Sequence, residues 1–190
     1  MIPEELPDWI KEVCEKLVSF GFFPRDKPPN QVLLNEYSFG AGIEKHKDGK
    51  LFEDCAAVLS MESSALINFY LEREEGMPIE SGSADILDHF SILLKPRSLV
   101  VFASDAYNHY THEVKDSASE LVHELVLNGA PEFGSQILRG DRRISLTLRH
   151  AKERAVRDLD DPLKNYLSEE DRKEIERRKS IWFNSISEKN

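Results

Sequence analysis

The chain has 190 residues, 40% hydrophobic and 32% charged, enough for one compact domain with a real core and too few for two. No stretch approaches the ~20 consecutive apolar residues of a membrane helix. Lys+Arg 25 against Asp+Glu 35 gives a net charge of -10, so the bulk chain offers no basic face of the kind that binds phosphates by releasing counterions.

The opening residues Met1-Ile2-Pro3-Glu4-Glu5 lack the basic and apolar regions of a secretory signal. Cys14 and Cys55 lie too far apart to suggest a disulfide framework or a zinc knuckle. Both features lead us to expect a cytoplasmic or nuclear protein. Pro7 then precedes apolar residues at Trp9, Ile10, Val13, Cys14, Leu17 and Val18, a helical spacing over about 7–19 that Gly21 closes. Residues 24–30 read as a linker, so 1–30 form an N-terminal helix and connection.

From Gln31 the texture becomes short β-type runs between turn residues: 31–37, 56–61, 65–72, 90–94, 98–103, 109–114 and 143–150. Such a series predicts a mainly β domain over 31–150, a sandwich or a jelly-roll barrel. Two segments interrupt it. Residues 72–88 hold six acids and one arginine, a solvated loop, and 115–142 holds one more strand around Leu121–Leu127 before Gly129-Ala130-Pro131. Residues 151–190 turn helical, with ten basic and ten acidic side chains, so 1–150 own the whole acidic excess. In that tail Ile175, Trp182 and Ile186 form a stripe suited to docking on the barrel or on a protein partner.

Three patterns carry chemistry. In His46-Lys47-Asp48-Gly49, residues two apart on a strand end point the same way, so an imidazole and a carboxylate converge. Two histidines and one carboxylate on one face of an iron ion leave three positions for substrate and oxygen. His-x-Asp alone is a weak pattern that surface turns also produce. The last strand is stronger. Ile144, Leu146 and Leu148 face one side, and Arg143, Ser145, Thr147 and Arg149 face the other. If buried, two guanidiniums on one face require an anionic companion, and a dicarboxylate suits their bidentate grip. The two arginines are six residues apart, roughly 20 Å along an ideal strand, so Arg143 is the better anchor for a small ligand. Asn35 and Tyr37 share one face of the first strand and could bond ligand oxygens.

The order Asn35-x-Tyr37, His46-x-Asp48, a distal histidine, then Arg143-x-Ser145-x-Thr147-x-Arg149 resembles AlkB-type Fe(II)- and 2-oxoglutarate-dependent dioxygenases. The wording Asn35-Glu36-Tyr37-Ser38-Phe39-Gly40-Ala41-Gly42-Ile43, with Pro96-Arg97-Ser98-Leu99, is similar to one animal branch of that family. The resemblance spans about residues 3–150 and implies a double-stranded β-helix. It also implies iron(II), with 2-oxoglutarate and molecular oxygen as cosubstrates. Periodicity leaves His109 and His112 open as the distal ligand; matching Asp105-Ala106-Tyr107 to the family pattern implies His112 beside His46 and Asp48. The same pattern implies that Arg143, with Tyr37 and Asn35, holds the distal carboxylate of 2-oxoglutarate, and that Arg149 lies at the metal end. Ser145 stands where the family usually has asparagine, which shortens that contact. The implied reaction is oxidative demethylation of alkylated DNA or RNA. Members acting on bases carry an N-terminal lid, of which this chain shows only the last part; 72–88 and 115–142 are the segments that could replace it. The other readings are an oxygenase acting on a peptide side chain and a non-catalytic metal-binding interaction module.

Overall fold

The computed structural model describes residues 5–72 and 87–152. The expected tail helix, and most of the acidic 72–88 segment, lie outside the described residues.

Helix α1 (Asp8–Ser19) starts on Pro7, whose carbonyl accepts from the Ile10 and Lys11 amides at 2.9 and 3.0 Å. It ends where Gly21 takes φ 80°, a conformation glycine enters without a Cβ penalty, while the Phe22 amide returns to the Leu17 carbonyl at 3.0 Å. Its buried face, Ile10, Cys14 and Leu17, packs with Ala57, Leu146 and Leu148 of one sheet.

That larger sheet has the order β1–β10–β3–β6: β1 (Gln31–Ser38), β10 (Arg142–Ala151), β3 (Phe52–Met61) and β6 (Ser98–Ala103), all antiparallel. The smaller sheet runs β2–β7–β4–β5: β2 (Ile43–His46), β7 (Tyr110–Val114), β4 (Ala65–Leu71) and β5 (His89–Leu94). Chain neighbours repeatedly fall in opposite sheets, the jelly-roll arrangement of a double-stranded β-helix. Val58 and Phe102 of the larger sheet share one core with Ile67, Phe69, Leu94 and Tyr110 of the smaller.

Strand β10 is central in its sheet, and both of its faces are also covered. Leu146 and Leu148 lie under α1, while Arg143, Ser145, Thr147 and Arg149 are buried on the other face. Strand β2 has no counterpart among the expected runs. Its sequence, Ile-Glu-Lys-His, has one apolar residue, and it is a strand because β7 pairs with it.

Helix α2 (Asp105–Asn108) leads into β7. In the 115–142 segment the strand is β8 (Ser119–Leu121), earlier than expected, paired with β9 (Gln136–Leu138). Val122, Val126 and Ile137 pack on Leu66 and Leu93, and the alternation of β4 puts Leu66 on the face opposite Ile67 and Phe69. This insert therefore braces the outer face of the smaller sheet.

Leu17 is 1% exposed at the junction of α1 and the larger sheet. Leu17→Ala is expected to cost about 2–5 kcal/mol, read from the midpoint of denaturant unfolding.

Candidate metal centre

His46 closes β2 directly opposite His112 of β7, and Asp48 follows two residues later. One ligand atom from each of the three lies within 4.8 Å of the others, and the two imidazole centroids are 4.4 Å apart. His46 Nδ1 lies 2.7 Å from the Glu44 carbonyl oxygen. A carbonyl only accepts, so Nδ1 is the donor and Nε2 is the nitrogen left for an ion, the usual way a neighbouring carbonyl orients a ligand histidine. His112 is buried between Phe69 and Phe102, with ring centroids at 5.7 and 5.1 Å. Burial, with the neighbouring His46 adding to the shift, pushes its pKa down to about 4, so the ring is neutral and available as a ligand at neutral pH.

Asp48 is held from behind. Its Oδ1 accepts from Arg149 Nη1 at 2.7 Å in a pair whose side chains are only 8% and 7% exposed. Its Oδ2 is buried without a partner. Arg149 in turn donates from Nε to Gln31 Oε1 at 3.0 Å and lies over the Phe52 ring at 3.9 Å. Tyr107, buried on α2, bonds the Gly49 carbonyl at 3.4 Å; burial and the nearby Asp48 charge raise its pKa.

Arg143 is 5% exposed and makes no ion pair among the described residues. Its Nε donates to Ser60 Oγ at 3.3 Å, its guanidinium stands 5.1 Å from the Tyr37 ring, and Nη1 has no partner. Burial lowers its pKa, with Tyr37 opposing the shift. A buried guanidinium with a free donor calls for an anion. Asn35, Tyr37, Arg143, Ser145 and Arg149 line the same cavity as His46, Asp48 and His112.

The residues therefore fit a divalent ion with a small diacid beside it. The donor set is two imidazoles and a carboxylate oxygen with no other partner, and the cavity holds a guanidinium with an unused N–H.

The structure brings all eight candidate residues to one cavity and leaves His109 out. That histidine is exposed at the C-cap of α2, and its carbonyl accepts from the Glu72 amide at 2.8 Å. Sequence reasoning missed Ser60, Gln31 and the Phe69–Phe102 wall. Ser60 sits opposite Ser145, and Gln31 opposite Arg149, in strand registers that no local pattern states.

Two four-stranded sheets enclosing a His-Asp-His cluster and an arginine-lined cavity define an oxygenase-type double-stranded β-helix. The chain belongs to the 2OG-Fe(II) oxygenase superfamily, whose family model matches residues 2–149. It is similar to the "Probable RNA/DNA demethylase ALKBH6" of Danio rerio, 33% identical over 153 residues, covering 79% of this chain and 64% of that protein. It is also similar to the "Uncharacterized protein L905" of Acanthamoeba polyphaga mimivirus, at 24% identity over 82% of this chain and 63% of that one. The chain thus spans under two thirds of these relatives. The solved structure of OsALKBH1 aligns at TM-score 0.48 and 12% identity, covering 78% of this chain and 66% of that one.

Two outcomes follow from the electrostatics. For metal-free protein, the unfolded chain protonates residue 112 near pH 6.5, whereas the folded state resists protonation down to about 4. The stability contributed by a neutral His112 is thus complete above pH 6.5 and is lost as pH falls toward 4. His112→Asn should flatten that part of the stability–pH curve, measured by urea unfolding with a chelator present. Second, Arg143→Met should stabilise the free protein by about 1–4 kcal/mol, because it removes an uncompensated buried charge. Added 2-oxoglutarate should raise the melting temperature of the parent protein, and Arg143→Met should abolish that rise.

Proposed function

We propose that the protein is an Fe(II)- and 2-oxoglutarate-dependent dioxygenase that oxidatively demethylates alkylated bases in DNA or RNA. The observation that carries this reading is the convergence of His46, Asp48 and His112 beside an Arg143 with an unpartnered donor. The name of the zebrafish relative, "Probable RNA/DNA demethylase ALKBH6", supports the nucleic-acid substrate.

Each side chain has a task. His46 Nε2, Asp48 Oδ2 and one nitrogen of His112 hold the ion on one side. Arg149 occupies Asp48 Oδ1, which fixes the carboxylate and directs the other oxygen to the ion. Arg143 receives the distal carboxylate of 2-oxoglutarate, with Tyr37 and Asn35 adding polar contacts from β1. Phe69 and Phe102 exclude water from the His112 side. When bound, iron and 2-oxoglutarate supply the activation of oxygen that places a hydroxyl on a substrate carbon. A hydroxylated N-methyl group then releases formaldehyde and leaves the nitrogen demethylated.

Asp48→Ala and His112→Ala should each abolish metal binding and succinate formation, while His109→Ala retains both; isothermal titration and a succinate assay read the difference. Arg143→Ala should raise the 2-oxoglutarate concentration needed for half-maximal succinate formation about 10- to 100-fold, the worth of a charge-assisted contact. The substrate is tested by formaldehyde release from methylated single strands, duplexes and peptides. The acidic balance of the chain favours the peptide-directed alternative, and an oxygenated peptide with silence on every nucleic acid would replace the proposal with it.

A further inference from the structure

Strand β2 is weakly specified. It has four residues at the edge of its sheet, and only Ile43–Val114 and His46–His112 are in register with β7, with an irregularity between them. A ladder this short does not by itself fix which residue faces His112.

A side chain supplies what the ladder lacks. Arg139, 7% exposed, donates from Nη1 to the Ala41 carbonyl at 3.0 Å and from Nη2 to the Lys115 carbonyl at 2.8 Å. Ala41 lies two residues before β2, and Lys115 directly follows β7. One planar guanidinium therefore joins the two strands at the end away from His46 and His112. Next to this bridge, a Cβ on Gly42 would sit 2.0 Å from the Val114 carbonyl oxygen, an approach that only glycine allows.

Arg139 is itself held. Its Nε donates to Glu120 Oε1 at 2.6 Å, and the same oxygen accepts from the Leu66 amide of β4 at 3.1 Å. Glu120 is 6% exposed and sits on β8. The five donors of arginine, fixed in one plane, can meet two carbonyls and a carboxylate at once; the point charge of lysine cannot.

We propose that Arg139, clamped by Glu120, is a positioning residue that staples β2 to β7 so that His46 and His112 address one ion. The inference rests on reading those histidines as metal ligands and assigns the 115–142 insert a role in the metal centre. The test uses the full chain with cobalt(II) as a redox-stable probe. Arg139→Lys should raise the cobalt dissociation constant about 10- to 100-fold, the range seen when groups that orient metal ligands are lost. It should also move the paramagnetically shifted imidazole N–H resonance of His46. Glu120→Asp, which keeps both charges, should shift affinity in the same direction by less. Leu17→Ala, which weakens the fold far from the staple, should leave cobalt affinity unchanged.

Unaltered affinity and spectrum in Arg139→Lys would overturn the proposal. So would an equal affinity loss in Leu17→Ala, or outright unfolding of both Arg139→Lys and Glu120→Asp, either of which would make the pair a plain structural brace. If the parent protein binds no cobalt, the metal reading itself falls, and the staple with it.

Discussion

A guanidinium buried in a β-barrel needs an anion, and β10 buries two on the face that lines the cavity. The chain supplies one anion and omits the other. Arg149 finds Asp48 at 2.7 Å, whereas Arg143 has Ser60, the Tyr37 ring and an N–H without a partner. Desolvation costs several kcal/mol per buried charge, so the unpartnered donor of Arg143 is the feature that supports reading the cavity as a binding site. The two arginines, read as equivalent, would be redundant. In their surroundings one is neutralised within the protein and the other keeps an unpartnered donor.

The pairing also explains why Asp48 can serve a metal although it lies outside every strand. A carboxylate on a turn has rotational freedom that a strand residue lacks. Arg149 removes that freedom through one oxygen, and the guanidinium is fixed in turn by Gln31 and Phe52. The free oxygen is then directed by a relay of packed groups, and the turn carries only the chain connection.

Much of this arrangement was legible in the sequence, for reasons that vary by element. The alternation of Arg143 to Arg149 is a period-2 signal, and burial of both faces of β10 is what gave the polar half its meaning. The N-terminal helix was readable from Pro7, its apolar spacing and Gly21. Strand β2 was not, because three of its four residues are polar and its extended form comes from pairing with β7. The histidine ambiguity has the same origin. His109 and His112 fall in one β-like run, yet α2 extends to Asn108 and leaves His109 as a cap, so the strand begins one residue later. The hairpin of β8 and β9 depends on Glu120 meeting Arg139 nineteen residues on, a contact that no local periodicity encodes.

The three metal-facing side chains are fixed by different means. His112 is held by a strand with partners on both sides and by two aromatic walls. Asp48 is held by an ion pair, and His46 by a carbonyl and a short edge strand. The β2 ladder is the shortest of these supports, so His46 depends most on contacts beyond its ladder, the Arg139 bridge among them. Displacement of Asp48 or Arg149 would strand two charges in a low-dielectric interior, whereas the β2 edge relies on neutral ladder bonds and on the carbonyls that Arg139 bridges.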